Sequence, residues 1–274
     1  MSDREKAMDE RKRRMTQWYD HIADAYDQHR LPLSPRLAEA LVRQAAVSEG
    51  ERVLDVGTGT GNVAIAAARH TGARGRVVAI DLSRAMLARA RLKAGNLPIE
   101  FLEMDAEALQ LGGATFDVAL GGLLPDIECA LKEMHRVLRP GGRAALSSYT
   151  RETHQPLARL TASRLERDGV IRPSAPPKPE QMLTDSELFA LLLEKAGFRE
   201  IRVIPEPHTH WLQSAEDWWI YMRRSTRWGG ALDQLSAEAL EALKAGILAD
   251  VERLRTDAGI QIDASALIGI GVRR

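Results

Sequence analysis

Cysteine is all but missing from this chain: there is one, Cys129, in 274 residues. A lone thiol forms no intrachain disulfide and builds no cysteine-based zinc or iron–sulfur centre, so the disulfide-stapled classes are excluded and a reducing cytoplasm is the expected compartment. Cys129 falls in an apolar helical pattern, which predicts burial. Net charge is absent too, with 38 basic against 38 acidic residues, so no global positive field exists to collect nucleic acid or an anionic membrane. No apolar run approaches the roughly 18 residues of a membrane helix, and the opening MSDREKAMDERKRRM has no apolar signal core. The expectation is a soluble, unexported protein. Aromatic residues are scarce, at 5%, and unevenly placed. Trp18, Trp211, Trp218, Trp219 and Trp228 all lie outside residues 50–149, where they either fill the cores of appended helices or wall a site for an organic ligand.

What is present is a long alternation of strand and helix signals in a chain large enough for one domain with an appendage. Ser34-Pro35 reads as an N-cap and first helical position, followed by apolar residues at helical spacing from Leu37 to Ala45. Strands are expected at Val53 to Val56, Arg76 to Ile80, Ile99 to Met104, Phe116 to Leu120 and Arg143 to Tyr149. Helices are expected from Asn62, from Ser83 to Lys93 and from Ile127 to Leu138, with Pro140-Gly141-Gly142 breaking the chain. Strands separated by helix-length segments pair in parallel, so the first 150 residues read as a doubly wound α/β sheet. Farther on, a capping box Thr184-x-x-Glu187 opens a helix closed by Gly197. Phe198 to Ile204 reads as a strand extended through His208, His210 and Leu212, and Ser214 and Ser236 each open a further helix. Ile262, Ala264, Ala266, Ile268, Ile270 and Val272 alternate with period two, as one strand would. The basic run Arg11-Lys12-Arg13-Arg14 reads as a solvated helix face rather than a nucleic-acid arm.

Chemistry concentrates where the first strand meets its helix. Val53 to Gly61 reads VLDVGTGTG, and glycines at such a turn let a ligand approach the backbone closely. The spacing G-x-G-x-G departs from the G-x-G-x-x-G of dinucleotide sites, which demotes an NAD or FAD enzyme. Asp81, about 20 residues beyond the glycines, ends the second strand where its carboxylate can accept from ribose hydroxyls. Asp105 ends the third, placed to accept from an adenine amine while the Ala106 amide donates to a ring nitrogen.

These residues carry a resemblance. The sequence resembles the class I S-adenosylmethionine-dependent methyltransferases through VLDVGTGTG (53–61), VVAIDLSRAML (77–87), MDAEAL (104–109), FDVALG (116–121) and HRVLRPGGRAAL (135–146). The match covers roughly residues 16–149 and is most similar to the ubiquinone/menaquinone-type small-molecule subgroup. It implies a Rossmann-like seven-stranded sheet with its last strand antiparallel, into which Phe198 to Ile204 and Ile262 to Val272 fit as the final two strands. It also implies S-adenosyl-L-methionine as cofactor, held by Asp55, Gly57, Thr58, Gly59, Gly61, Asp81, Leu82, Met86, Asp105, Ala106 and Gly121. The pattern Tyr19-Asp20-x-x-Ala23-x-x-Tyr26-Asp27-x-x-Arg30 is similar to the family's lid segment, which places Tyr26 and Arg30 near the cofactor carboxylate and Tyr19 near the transferred methyl. The implied division is a helical lid at 1–49, a cofactor-binding core at 50–150, and at 151–274 the rest of the sheet with a helical insertion at about 214–259.

Methyl transfer from a sulfonium is an in-line displacement, so alignment in a dry pocket supplies much of the acceleration and few catalytic groups are obligatory. Where the acceptor is a hydroxyl or acidic carbon, a histidine base is expected, and His154 and His210 are the candidates. The turn Gly121-Gly122-Leu123-Leu124-Pro125 lacks the Asn/Asp-Pro-Pro-Tyr of enzymes that methylate base amines. No metal-ligand spacing appears, so no metal is expected. The expected partner is therefore a small, largely apolar acceptor methylated at oxygen or carbon, with no nucleic acid, no membrane span, and a homo-oligomer left open. Two alternatives stand beside this reading: a protein that binds the cofactor without transferring methyl, as a regulator or cyclase, and an NAD-dependent reductase.

Overall fold

The computed structural model describes residues 3–27, 33–122, 127–171, 184–223 and 228–274. In its N-terminal part the chain forms α1 (Asp3–Ile22), α2 (Leu33–Gln44), β1 (Arg52–Val56), α3 (Asn62–Thr71), β2 (Arg76–Asp81), α4 (Arg84–Ala94), β3 (Ile99–Glu103), β4 (Phe116–Gly122), α5 (Glu128–Val137) and β5 (Leu138–Tyr149). The remainder forms α6 (Leu157–Arg167), α7 (Ser186–Lys195), β6 (Arg199–Glu206), β7 (Thr209–Leu212), α8 (Ala215–Arg223), α9 (Gly229–Leu232), α10 (Ala237–Glu252), β8 (Arg255–Thr256), β9 (Gly259–Asp263) and β10 (Ala266–Val272).

Successive residues of a strand point to opposite faces, and that alternation builds two cores here. Leu54, Val56, Val78 and Ile80 join one cluster, roofed by Leu131 and Met134 of α5 and Phe189 and Leu192 of α7. Val53, Val77 and Ala79 join the other, roofed by Leu41 and Val42 of α2 and Ala64 and Ala67 of α3. Seven strands lie between these helices in the order β3-β2-β1-β4-β5-β10-β6. β1 pairs parallel with β2 and β4, as do β2 with β3 and β4 with β5, while β10 runs antiparallel to both β5 and β6. This is the expected doubly wound sheet with its last strand antiparallel. Its topological switch lies between β1 and β4, where ligands of such sheets bind at the carboxyl ends of the strands.

A third core accounts for the aromatic surplus. β7, β9 and β8 form a separate three-stranded sheet, and Trp218, Trp219, Trp228, Leu243, Ile247, Ile260 and Ile262 pack in one cluster with Leu157 and Leu165 of α6. These three tryptophans are core residues; Trp211, 37% exposed, is not.

Several local expectations are corrected. The alternation from Ile262 to Val272 spans two strands in two sheets. Asp263 accepts from the Ser265 amide at 2.9 Å, a turn that lifts the chain from one sheet to the other. The period survives the break because each half has its own buried face. The strand starting near Phe198 ends at Glu206, and β7 begins anew at Thr209. Asp185, not Thr184, caps α7, accepting from the Glu187 and Leu188 amides at 2.9 and 3.1 Å. α2 starts at Leu33, ahead of Ser34. Pro140-Gly141-Gly142 lies within β5 but breaks its pairing with β4: Phe116 pairs with Leu138 and Val118 with Arg143, and Gly141 has a φ of +79°. Cys129 is exposed, because Ile127, Ala130, Leu131 and Met134 define the buried face of α5 and residue 129 falls outside that stripe.

Gly269 shows how closely the roof approaches β10: a Cβ there would stand 2.5 Å from Cε2 of Phe189, itself fully buried. Gly269→Ala should therefore cost about 1–3 kcal/mol of stability through overpacking. Urea unfolding measures it, and an unchanged midpoint would contradict this packing.

Candidate functional site

The turn after β1 is built from glycine because its backbone is left-handed. Gly57, Gly59 and Gly61 have φ of +68°, +54° and +83°, a region costly for residues with a Cβ. A Cβ on Gly59 would meet nothing within 4 Å, so this backbone faces open space. A Cβ on Gly61 would stand 3.0 Å from that of Ala90, so this glycine instead lets α3 and α4 approach. The Thr58 amide donates to the Ile80 carbonyl at 2.8 Å, tying the turn to β2.

Two acidic side chains frame the turn. Asp55 is fully buried; its Oδ2 accepts from the Thr58 hydroxyl at 2.6 Å, whereas its Oδ1 has no hydrogen-bond partner among the described residues. Burial pushes its pKa up to about 7, against the Thr58 hydroxyl and the Ala64 amide, which favour the charged form, and with a small push from the Asp81 charge. Asp81 accepts from the Gly59 amide at 2.8 Å and the Ser83 amide at 2.9 Å. Burial raises its pKa as well, against those amide bonds. The arrangement concentrates buried negative potential beside an open glycine turn, with one carboxylate oxygen unpaired. A ligand carrying positive charge and hydroxyl groups relieves both conditions, and the sulfonium, ammonium and ribose of S-adenosylmethionine match that chemistry.

The other cofactor residues proposed from sequence sit around this turn. Leu82 follows Asp81, and Met86 is buried in the first turn of α4, its amide donating to Ser83 Oγ. Gly121 is buried at the end of β4, in register with Val56. Asp105 and Ala106 lie just beyond β3 and are half-buried. Asp105 already has partners: its Oδ1 accepts from the Glu107 amide at 2.9 Å and its Oδ2 from Lys12 Nζ at 2.8 Å. Lys12 also reaches Glu107 at 2.7 Å, so one cation of the basic run is spent on the end of β3.

The N-terminal segment meets the site through further residues that carried no role in the sequence reading. Asp20 accepts from Ser83 Oγ at 2.6 Å, and Asp27 accepts from Thr60 Oγ and Lys93 Nζ at 2.8 Å each. Both aspartates follow the tyrosines of the Tyr-Asp repeat, which was the available signal. The Tyr19 and Tyr26 rings stand 6.2 Å apart and Trp18 stacks edgewise on Tyr19 at 5.3 Å. Arg30 lies outside the described residues.

The two histidines proposed as bases occupy different elements. His154 follows β5; its amide donates to the Asp263 carbonyl at 2.7 Å, its φ is +71°, and its Nε2 lies 3.0 Å from Tyr221 Oη. The Tyr149 and Trp218 rings lie beside it, at 5.1 and 6.3 Å. His210 lies on β7 opposite Ile262, with the His208 ring 6.5 Å away. Burial lowers its pKa, against the pull of Asp217. Among the described residues no group of three His, Cys, Asp or Glu side chains is placed to hold a metal ion, and no helix is long and apolar enough to cross a membrane.

Known proteins resemble this chain in sequence and in fold. Residues 53–142 match a family model described as a methyltransferase domain. The chain is 32% identical over 204 residues to a ubiquinone/menaquinone biosynthesis C-methyltransferase of Syntrophotalea carbinolica, covering 67% of this chain and 85% of that one. It is 37% identical over 153 residues to the 2-phytyl-1,4-naphthoquinone methyltransferase of Synechococcus elongatus, covering 52% of this chain. The matches to this and the other cyanobacterial relatives span 53 to 65% of those proteins' lengths. Among solved structures, a protein of an antibiotic biosynthesis pathway from Anabaena variabilis superposes with a TM-score of 0.61 at 21% identity, covering 86% of this chain and 96% of that one, a likeness of fold.

The buried carboxylate makes a stability prediction. The folded protein holds a proton on Asp55 that the unfolded chain releases near its ordinary pKa of about 4. Stability owed to this group is therefore full below about pH 4 and lost as pH rises through 7. In ligand-free protein, Asp55→Asn should remove that decline and raise stability at pH 8 relative to pH 5 by on the order of 1–3 kcal/mol compared with wild type. Thermal unfolding across this range checks it; parallel pH profiles for the two proteins would refute the buried charge.

Proposed function

Since the chain belongs to the class I S-adenosylmethionine-dependent methyltransferases, in the ubiquinone/menaquinone-type subgroup, we propose that it transfers the methyl of S-adenosylmethionine to a small, carbon-rich acceptor of quinone type, at carbon or oxygen. The observation that carries the reading is the open glycine turn flanked by the unpaired oxygen of Asp55 and by Asp81. The quinone-type ring is suggested by the names of the relatives. The partly exposed rings of Tyr149, His154 and Tyr221 supply the matching surface.

In this reading Gly57 and Gly59 let the cofactor lie against the backbone, and Asp55 supplies the negative charge that meets its positive groups. Each oxygen of Asp81 keeps a lone pair for a ribose hydroxyl beyond its amide bond. Asp105 and Ala106 border the adenine, with Lys12 fixing the Asp105 carboxylate. Tyr26 and Arg30 hold the carboxylate end, and Tyr19 borders the transferred methyl. The cofactor supplies a methyl on a positively charged sulfur, so that transfer to a nucleophile neutralises charge. A ring carbon attacks only when the ring is electron-rich, which calls for the hydroquinone form, and loss of a hydroxyl proton strengthens the nucleophile. His154 serves as the base that this proton finally reaches; it follows β5, the strand beside the one that carries Gly121. His210 is the second candidate base. The exposed thiol of Cys129 suits a reducing compartment such as the cytoplasm.

The test is release of S-adenosylhomocysteine from S-adenosylmethionine and 1,4-naphthohydroquinone, with calorimetric titration of S-adenosylmethionine and NAD alongside. Methylated product with S-adenosylmethionine binding is expected. Asp81→Ala should weaken cofactor binding by about 1–3 kcal/mol by leaving buried donors unpaired. Binding of NAD in place of S-adenosylmethionine would overturn the assignment, and binding with no product from any hydroquinone or phenol would point to a protein that holds the cofactor without transferring methyl.

A further inference from the structure

The contact between His154 and Tyr221 joins the end of the main sheet to the helical insertion across 67 residues of sequence. Three observations set it apart from ordinary packing. His154 is not glycine, yet its backbone is left-handed, a strain that persists only where surrounding bonds hold it. Here the Asp263 carbonyl holds its amide and Tyr221 its ring. Next, the aromatic residues behind the pair are sealed in the third core, Trp218 completely and Trp219 nearly so, while His154 and Tyr221 are only half-buried. His154 and Tyr221 thus form the polar, partly exposed edge of the cluster among the described residues. Finally, the neighbouring Gln155 has a buried Oε1 with no partner among the described residues, an acceptor that a ligand hydroxyl would satisfy. β1, β4 and β5 are adjacent and parallel, so the carboxyl end of β5, which leads to His154, opens on the same edge of the sheet as the glycine turn.

We propose that Tyr221 is a catalytic residue that binds the acceptor's hydroxyl and relays its proton to His154. The inference rests on the methyltransferase reading above. As the acceptor forms its new bond to the methyl, the acceptor hydroxyl gives its proton to Tyr221 Oη, and Tyr221 gives its own to His154 Nε2, from which it leaves to solvent. The methyl's bond to sulfur breaks with its electron pair staying on sulfur; for transfer to oxygen this single proton balances the step, and for transfer to a ring carbon the ring C–H proton then leaves to solvent as the oxygen regains a proton and the ring its aromaticity. The relay requires the imidazole tautomer with its proton on Nδ1. Among the described residues, titratable groups near His154 include Tyr149 on β5, Tyr221 on α8 and Asp263 on β9, whose carboxylate is engaged by Ser265; Glu152 and Arg151 are exposed in the same loop.

The test compares wild type, Tyr221→Phe, His154→Asn and the double variant with S-adenosylmethionine and 1,4-naphthohydroquinone across pH. Asparagine is chosen because it tolerates the left-handed backbone at 154. Tyr221→Phe should lower kcat by about 10-fold or more with cofactor Kd and Tm unchanged, and should flatten the acidic limb of the pH–rate profile. The double variant should be no slower than the worse single one, as for groups that act as a unit. Wild-type kcat and pH profile in Tyr221→Phe, or losses that multiply in the double variant, would overturn the relay while leaving cofactor binding, and hence the family reading, intact. Should wild type bind cofactor yet leave this probe unmethylated, nitrogen NMR of labelled histidine decides. Adding 1-naphthol in the presence of S-adenosylhomocysteine should move the His154 Nε2 resonance in wild type and not in Tyr221→Phe, and an unmoved wild-type resonance would sink the proposal.

Discussion

Two carboxylates held out of water at the carboxyl ends of adjacent parallel strands are the constraint around which this protein is arranged. Asp55 and Asp81 are stable there only because the glycine turn supplies hydrogen-bond donors, the Gly59 amide and the Thr58 hydroxyl, that no extended or helical backbone would present at that place. The turn in turn needs left-handed backbone, hence its glycines. The parallel order of the sheet needs helices on both faces, which seals the strands and raises both pKa values. One oxygen of Asp55 is left without a partner, and an incomplete electrostatic site of this kind selects for a cationic ligand.

The parts outside the nucleotide-binding half fall into two physical kinds. The N-terminal segment is attached to the site by polar contacts, with Lys12, Asp20 and Asp27 each reaching a different strand end or helix start. Contacts between such partly exposed groups are individually weak and easily exchanged for water. The insertion is attached by apolar burial instead, with tryptophans packed against α6 and the small sheet. That makes it a fixed wall, and its polar margin is where His154 and Tyr221 meet.

Much of this was legible in the sequence, for reasons that are local. The glycine spacing, Asp81 at the end of a strand and the period-two patterns of β1 to β5 each depend on residues within a few positions of one another. What the sequence hid depends on distance or on a single turn. The alternation at 262–272 continued through the Asp263–Ser265 turn because two different cores demanded the same pattern on either side of it. Cys129 looked apolar in composition, but its angular position on α5 placed it outside. Tyr221 and Lys12 have partners 67 and 93 residues away, and no local periodicity encodes those. The tryptophans were read either as ligand wall or as filler, and three of them proved to be filler.

The central claim is that the Asp55 carboxylate is a buried, partly protonated group that a cationic cofactor discharges. Isothermal titration of S-adenosylmethionine at pH 7, repeated in buffers of different ionisation enthalpy, tests it most directly. With an Asp55 pKa of about 7, binding should release about half a proton per site, and Asp55→Asn should abolish that release while weakening affinity. Binding by wild type with no proton released, or no binding at all, would contradict the account.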